Sequence, residues 1–177
     1  ATHKSIDGKF GGNDQLSIIN FEGSESISGN IRTAFTGLTA LSDLTLTDSG
    51  VFGFLDENSF LGNTSLSFLT LGGDTIGRTS SSGSAATNFF SDADIFKVTN
   101  LTTLDITNAP FIKGNLPDLT TQTSIQFVTI TETDISGSLP TFVDNGALAE
   151  LNLKKNKLTS GIPSTGVYKS NSLRILD

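Results

Sequence analysis

One pattern of apolar and variable positions recurs along the chain: an apolar residue, two variable positions, a second apolar residue, one variable position and a third apolar residue. It is plainest within residues 125–158, as Ile125/Val128/Ile130 and Leu148/Leu151/Leu153. Further copies are Leu16/Ile19/Phe21, Leu41/Leu44/Leu46, Leu66/Leu69/Leu71 and Leu101/Leu104/Ile106, and Leu173/Leu176 begins a seventh. Successive copies start 25, 25, 35, 24, 23 and 25 residues apart, the period of an array that stacks one small unit per repeat. Alternation about the second and third apolar residues is that of a short strand with one buried face. The pattern therefore predicts parallel strands, one per coil.

Two more columns keep the same register. Six residues before each first apolar position stand Phe10, Phe35, Phe60, Ile95 (beside Phe96), Leu119, Phe142 and Val167 (beside Tyr168). One large apolar residue per coil, stacked on the next, gives each repeat a core that it cannot form alone. Three residues past the last apolar position stand Ser24, Ser49, Asp74, Ala109, Thr133 and Asn156. All but Ala109 are small hydrogen-bonding side chains suited to a tight turn with buried backbone groups.

With these columns the chain resembles the leucine-rich repeat family. Its turns, ISGNI at 27–31, KGNLP at 113–117, SGSLP at 136–140 and SGIP at 160–163, are similar to the plant-type form LxxLxLxxNxLxGxIP, most fully in LAELNLKKNKLTSGIP. The subclass's asparagine stands only at Asn156, and its paired capping cysteines are absent. The resemblance implies an α/β-type repeat solenoid, with a parallel β-sheet on the concave face and a mostly irregular or 3-10 convex side. Residues 1–9 form an N-terminal extension, with Ile6 offered to the first coil, and residues 10–177 a solenoid of about six and a half repeats. An insertion at about 77–95 lengthens the third repeat; its Ser/Gly-rich composition predicts a flexible loop projecting from the coil.

The resemblance also implies a function: a non-catalytic, extracellular recognition or adhesion module, at the cell surface or secreted, that binds through the exposed positions of its sheet. A first row of these holds Ile18, Asp43, Phe68, Thr103, Phe127, Glu150 and Ile175. A second holds Asn20, Thr45, Thr70, Asp105, Thr129, Asn152 and Asp177, and a third Glu22, Thr47, Gly72, Thr107, Thr131 and Lys154. The expected ligand-binding residues are Asp43, Thr45, Phe68, Thr70, Thr103, Asp105, Phe127, Thr129, Glu150 and Asn152. Phe68 and Phe127, exposed beside polar groups, have the composition of a hot spot; alternatively the insertion folds back over them. Five acidic residues against Lys154 on this face disfavour polyanions and leave proteins, peptides or neutral glycans as partners. Its T-x-T pairs, Thr45/Thr47 and Thr129/Thr131, also suit an ice-binding grid, although threonine is simply a good strand residue. A third possibility is assembly through the last coil, whose edge carries Leu173 and Leu176.

Charge and chemistry narrow the field further. The 177 residues carry 11 basic and 18 acidic side chains, a net charge of −7 without dense runs, which disfavours nucleic acid. Absence of cysteine removes disulfides and thiolate chemistry. No stretch approaches the roughly 20 apolar residues of a membrane helix. An enzyme needs an acid, base, nucleophile or metal constellation, yet the one histidine, His3, lies outside the repeats, and Asp92 with Asp94 lacks the remaining oxygen ligands of a calcium loop. No cofactor or metal is expected. Two sequons, at Asn63 and Asn100, are possible glycosylation sites, a number that chance alone supplies in a chain so rich in Ser and Thr.

Overall fold

A computed structural model of the chain describes residues 4–90, 98, 100–116, 119, 122–139, 147–161 and 173–176. Among these residues the eleven strands and one helix are β1 (Lys4–Ser5), β2 (Ile18–Asn20), β3 (Ile27–Asn30), α1 (Ile31–Ala34), β4 (Asp43–Leu46), β5 (Gly50–Phe52), β6 (Phe68–Gly72), β7 (Thr103–Asn115), β8 (Phe127–Gly137), β9 (Glu150–Asn152), β10 (Lys157–Leu158) and β11 (Ile175–Leu176). All named pairings between strands are parallel. The principal sheet runs in the order β11-β9-β8-β7-β6-β4-β2, one strand per repeat.

The register of this sheet is constant along its apolar rows, and the β7–β8 pairing shifts only beyond them, between Ala109 and Lys113. Ile19, Leu44, Leu69, Leu104, Val128, Leu151 and Leu176 are successive partners across seven strands. A one-residue slip would carry a whole apolar set onto the solvent face. The buried members of the apolar triplets form one continuous core with the rest of the spine: Leu44, Leu69, Leu104 and Leu151 are at most 1% exposed. The chain enters each strand through a backbone bond to the preceding coil, running from the N–H of Ser42 to Ser17, Ser67 to Ser42, Thr102 to Ser67, Gln126 to Thr102, Ala149 to Gln126 and Arg174 to Ala149.

Each coil leaves its strand through a left-handed residue. Asp48, Asn108, Glu132 and Lys155 have φ of 48°, 50°, 56° and 56°, and Gly23 and Gly73 occupy the same place with 66° and 92°. Backbone in that region is strained for most L-residues and free for glycine. At Gly73 an added Cβ would also meet the Asp48 backbone nitrogen at 2.9 Å. Immediately beyond the turn, Asn156 donates to the carbonyls of Ile130 and Leu153 and accepts from Thr133, at 2.6, 2.8 and 2.6 Å. Ser49 and Thr133 are buried in the same column. Asp74 departs from it: its side chain faces solvent, and Thr75 instead donates to the Ser49 carbonyl.

A second line of parallel pairs runs beside the first. It begins as β1-β3-β5, continues through the Gly53–Ile76 and Leu55–Phe90 bridges, and ends where the far halves of β7 and β8 pair with each other and β8 pairs with β10. The N-terminal segment belongs to this line: β1 lies on β3, and Ile6 is buried in the core. Among the described residues the convex side is otherwise turns and irregular chain, with α1 capped by the Asn30 side chain. Phe10, Phe35 and Phe60 stack with ring centroids 6.0 and 6.4 Å apart, and Leu119 is buried further along. Ile95, Phe96, Phe142, Val167 and Tyr168 lie outside the described residues.

The insertion differs from the expected projecting loop over most of its described length. Only residues 79–84 form an excursion, closed by the antiparallel Arg78–Ala85 bridge. Arg78 stacks on the Phe111 ring at 3.5 Å. Phe89 and Phe90 return to the core, with Phe89 bonded to the Leu55 and Lys113 backbones. Two apolar aromatics in succession pull the segment inward despite its polar composition. Residues 91–95 are outside the described part.

Phe35 is fully buried between two rings, so Phe35→Ala should cost about 3–5 kcal/mol of unfolding free energy, read from the urea midpoint. A loss under about 1 kcal/mol would show that the ring stack is not part of the core.

Candidate recognition face

Constant register turns the variable positions into straight rows. Ile18, Asp43, Phe68, Thr103, Phe127, Glu150 and Ile175 are successive partners, as are Asn20, Thr45, Thr70, Asp105, Thr129 and Asn152. Gly72, Thr107 and Thr131 form part of a third row. Strands about 4.8 Å apart, with same-face residues about 6.7 Å apart along each strand, make a lattice of side chains on a rigid backbone.

Two aromatics rise from this lattice. Phe68 is 47% exposed and Phe127 43%, one on each side of the half-buried Thr103. The described part of the insertion does not cover them. Its tip instead meets the corner turns: Ser81 helps line a cavity of about 480 Å³ with Glu25, Asp48, Ser49, Asp74, Thr75 and Asn108. The threonine rows are discontinuous, with Asp105 between Thr70 and Thr129 and Gly72 beside Thr107.

Asp105 is the electrostatic exception on the face. It lies between Thr70 and Thr129, two residues along β7 from the row of the two phenylalanines. Its Oδ1 is shut off from solvent and has no hydrogen-bond partner. No ion pair or hydrogen bond joins its side chain to any described residue. Burial raises its carboxyl above the ordinary 3.8, because a half-buried carboxylate is less well solvated than a free one.

The remaining expected sites are scattered. Asp43, Thr45, Thr70, Thr103, Thr129, Glu150 and Asn152 are half-buried on the face with the aromatics. At the last strand, Leu173 packs against the core and Ile175 is 48% exposed. β11 pairs with β9 on one side, and among the described residues no strand pairs with its other side; the side chain of Leu176 and all of Asp177 lie outside the described part. At the first sequon Asn63 is 4% exposed, and its Oδ1 accepts from the backbone N–H groups of Ser65 and Leu66 at 3.1 and 2.9 Å. Asn100 is exposed and bonded to the Thr64 carbonyl.

His3, Asp92 and Asp94 lie outside the described residues. Among those described, no group of three or more His, Cys, Asp or Glu side chains could hold a metal ion, and no helix is long and apolar enough to cross a membrane. Sequence reasoning missed two framing columns. The left-handed corners could have been found from Gly23, Asp48, Gly73 and Asn108 at one repeat position. The entry column could have been found from Ser17, Ser42, Ser67 and Thr102, where Ser42 and Thr102 add hydroxyl bonds of 3.0 Å to the preceding carbonyl.

No family profile matches the sequence, and no curated protein is similar to it. Solved structures are similar in fold. One is the leucine-rich repeat ectodomain of the Arabidopsis receptor kinase HAESA in complex with an N-terminally extended IDA peptide hormone, at 20% identity and TM-score 0.57 over 94% of this chain. Another is the plant peptide hormone receptor RGFR1 in complex with RGF2, at 16% identity and TM-score 0.58 over 99% of this chain. The chain spans about 30% of the length of each. It has the leucine-rich repeat fold.

The raised carboxyl of Asp105 has a testable sign. The folded chain holds this proton more tightly than the unfolded chain, so the residue's contribution to stability falls as pH rises from below 3.8 through the folded-state value. Asp105→Asn should therefore raise the denaturation midpoint near neutral pH, with the gap closing as pH falls toward 3.8. A pH-independent gap, or a less stable variant near neutral pH, would contradict this origin.

Proposed function

We propose that the chain is a non-catalytic recognition module that binds a protein or peptide segment through its concave sheet, in an extracellular setting. The carrying observation is the pair of exposed aromatics, Phe68 and Phe127, held in register on either side of Thr103 by strands of the principal sheet. Exposed rings on a rigid scaffold lose little side-chain freedom when they are covered, and such residues dominate binding energies at protein surfaces.

Two further observations support the reading. The similar ectodomains are described in complex with peptide hormones, so a curved parallel sheet of this fold is compatible with peptide ligands. The face also carries Glu22, Asp43, Asp105 and Glu150 against Lys154, a balance that favours neutral or basic partners over polyanions.

The test is selection of binders from a displayed random-peptide library on the immobilised chain, followed by measurement on Phe68→Ala/Phe127→Ala. Two hot-spot truncations at about 2 kcal/mol each should weaken the selected peptides at least about a hundredfold. The thermal midpoint should barely move, because both rings are already nearly half exposed. Peptides that bind the double variant as well as the parent would place recognition elsewhere.

A further inference from the structure

Asp105 is a half-buried carboxylate with a solvent-inaccessible oxygen, and among the described residues its side chain has no partner. Leaving a carboxylate partly desolvated and unpaired costs free energy, and no side-chain bond to a described residue recovers it. Its strand neighbours on the same face are Thr70 on β6 and Thr129 on β8, neither of them charged. A carboxylate serving the scaffold would be bonded like Asp7, which accepts from the Asn30 backbone, or Asp56, which pairs with Arg32.

The surroundings define what could complete it. Phe68 and Phe127 stand two strands apart, about 9–10 Å between backbones, with Thr103 as the floor between them. That width admits one slender group with a ring on each side. Asp105 lies about 6.7 Å further along the same strand, roughly the length of an extended lysine or arginine stem.

We propose that the trough between Phe68 and Phe127 receives a cationic side chain of the bound peptide, its stem lying over Thr103 and its charged head meeting the Asp105 carboxylate. This rests on the recognition reading above and gives that site its chemical preference. Aromatic faces attract a cation, arginine more often than lysine, and a guanidinium supplies donors for a carboxylate in a fixed fork. A metal ion is a poorer fit, since it needs several oxygen ligands and Asp105 belongs to no metal-competent group among the described residues. An anionic ligand would be repelled by Asp105 and by Asp43 and Glu150 in the adjoining row.

The experiment compares N-acetyl-arginine amide with N-acetyl-citrulline amide, its neutral isostere, by NMR titration of the folded chain at low salt. The arginine probe should shift the amides of Phe68, Thr103, Asp105 and Phe127 saturably, with Kd on the order of 1 mM and citrulline at least about tenfold weaker. Asp105→Asn keeps the shape and removes the charge, so it should abolish the preference, whereas Phe68→Ala should weaken both probes. Equal binding of the two probes to the unmodified chain overturns the proposal without recourse to any variant. So do absence of shifts in the trough and an arginine preference that survives Asp105→Asn. Library-selected peptides that still require Phe68 and Phe127 but show no need for arginine or lysine would refute the cation trough while leaving the recognition reading intact.

Discussion

The structure depends on the stacking of apolar residues in register. Seven successive strands place Ile19, Leu44, Leu69, Leu104, Val128, Leu151 and Leu176 opposite one another without a slip. No coil could bury its triplet alone; each is covered by its neighbours. Once the inward positions are committed, the alternating side chains have only one other place to go. The outward lattice, including the two exposed phenylalanines and the unpartnered carboxylate, is therefore a consequence of the ladder rather than a separate construction.

The corners make this repetition possible. A strand must turn sharply into the second line of pairs, and the chain does so through a left-handed residue in each of six coils. Where glycine stands, that conformation is free; where Glu132 and Lys155 stand it is not, and the two side chains form an ion pair with each other across the coils. Asn156, held by the Thr133 hydroxyl, then donates to two carbonyls that the turn would leave bare. The insertion is accommodated because it rejoins the ladder at Phe89 and Phe90, so the extra residues lengthen one side of a coil without shifting the strand that follows.

Much of this was legible in the sequence, for a physical reason. A period-two apolar alternation repeated at nearly constant spacing over-determines the strand register, so the rows containing Phe68, Thr103, Phe127 and Asp105 could be written down before any coordinates. Phe10, Phe35 and Phe60 were equally readable, since large apolar residues at a fixed offset in successive repeats stack on one another. The path of the insertion was not: a Ser/Gly-rich composition says nothing about where Phe89 and Phe90 will dock. Nor was the isolation of Asp105 readable, because a carboxylate in a strand looks the same in sequence whether or not a cation reaches it. The burial of Asn63 was hidden for a similar reason, as a sequon and an asparagine turn share the same letters.

The central claim is the phase of the strands, and the absence of cysteine from the chain makes it directly measurable. Single cysteines placed in turn at positions 103 to 107 and 127 to 131 would be reacted with a soluble thiol reagent under native conditions. The account predicts fast labelling at 103, 105, 107, 127, 129 and 131 and strong protection at 104, 106, 128 and 130. Uniform labelling, or the opposite alternation that a one-residue slip would produce, would contradict it.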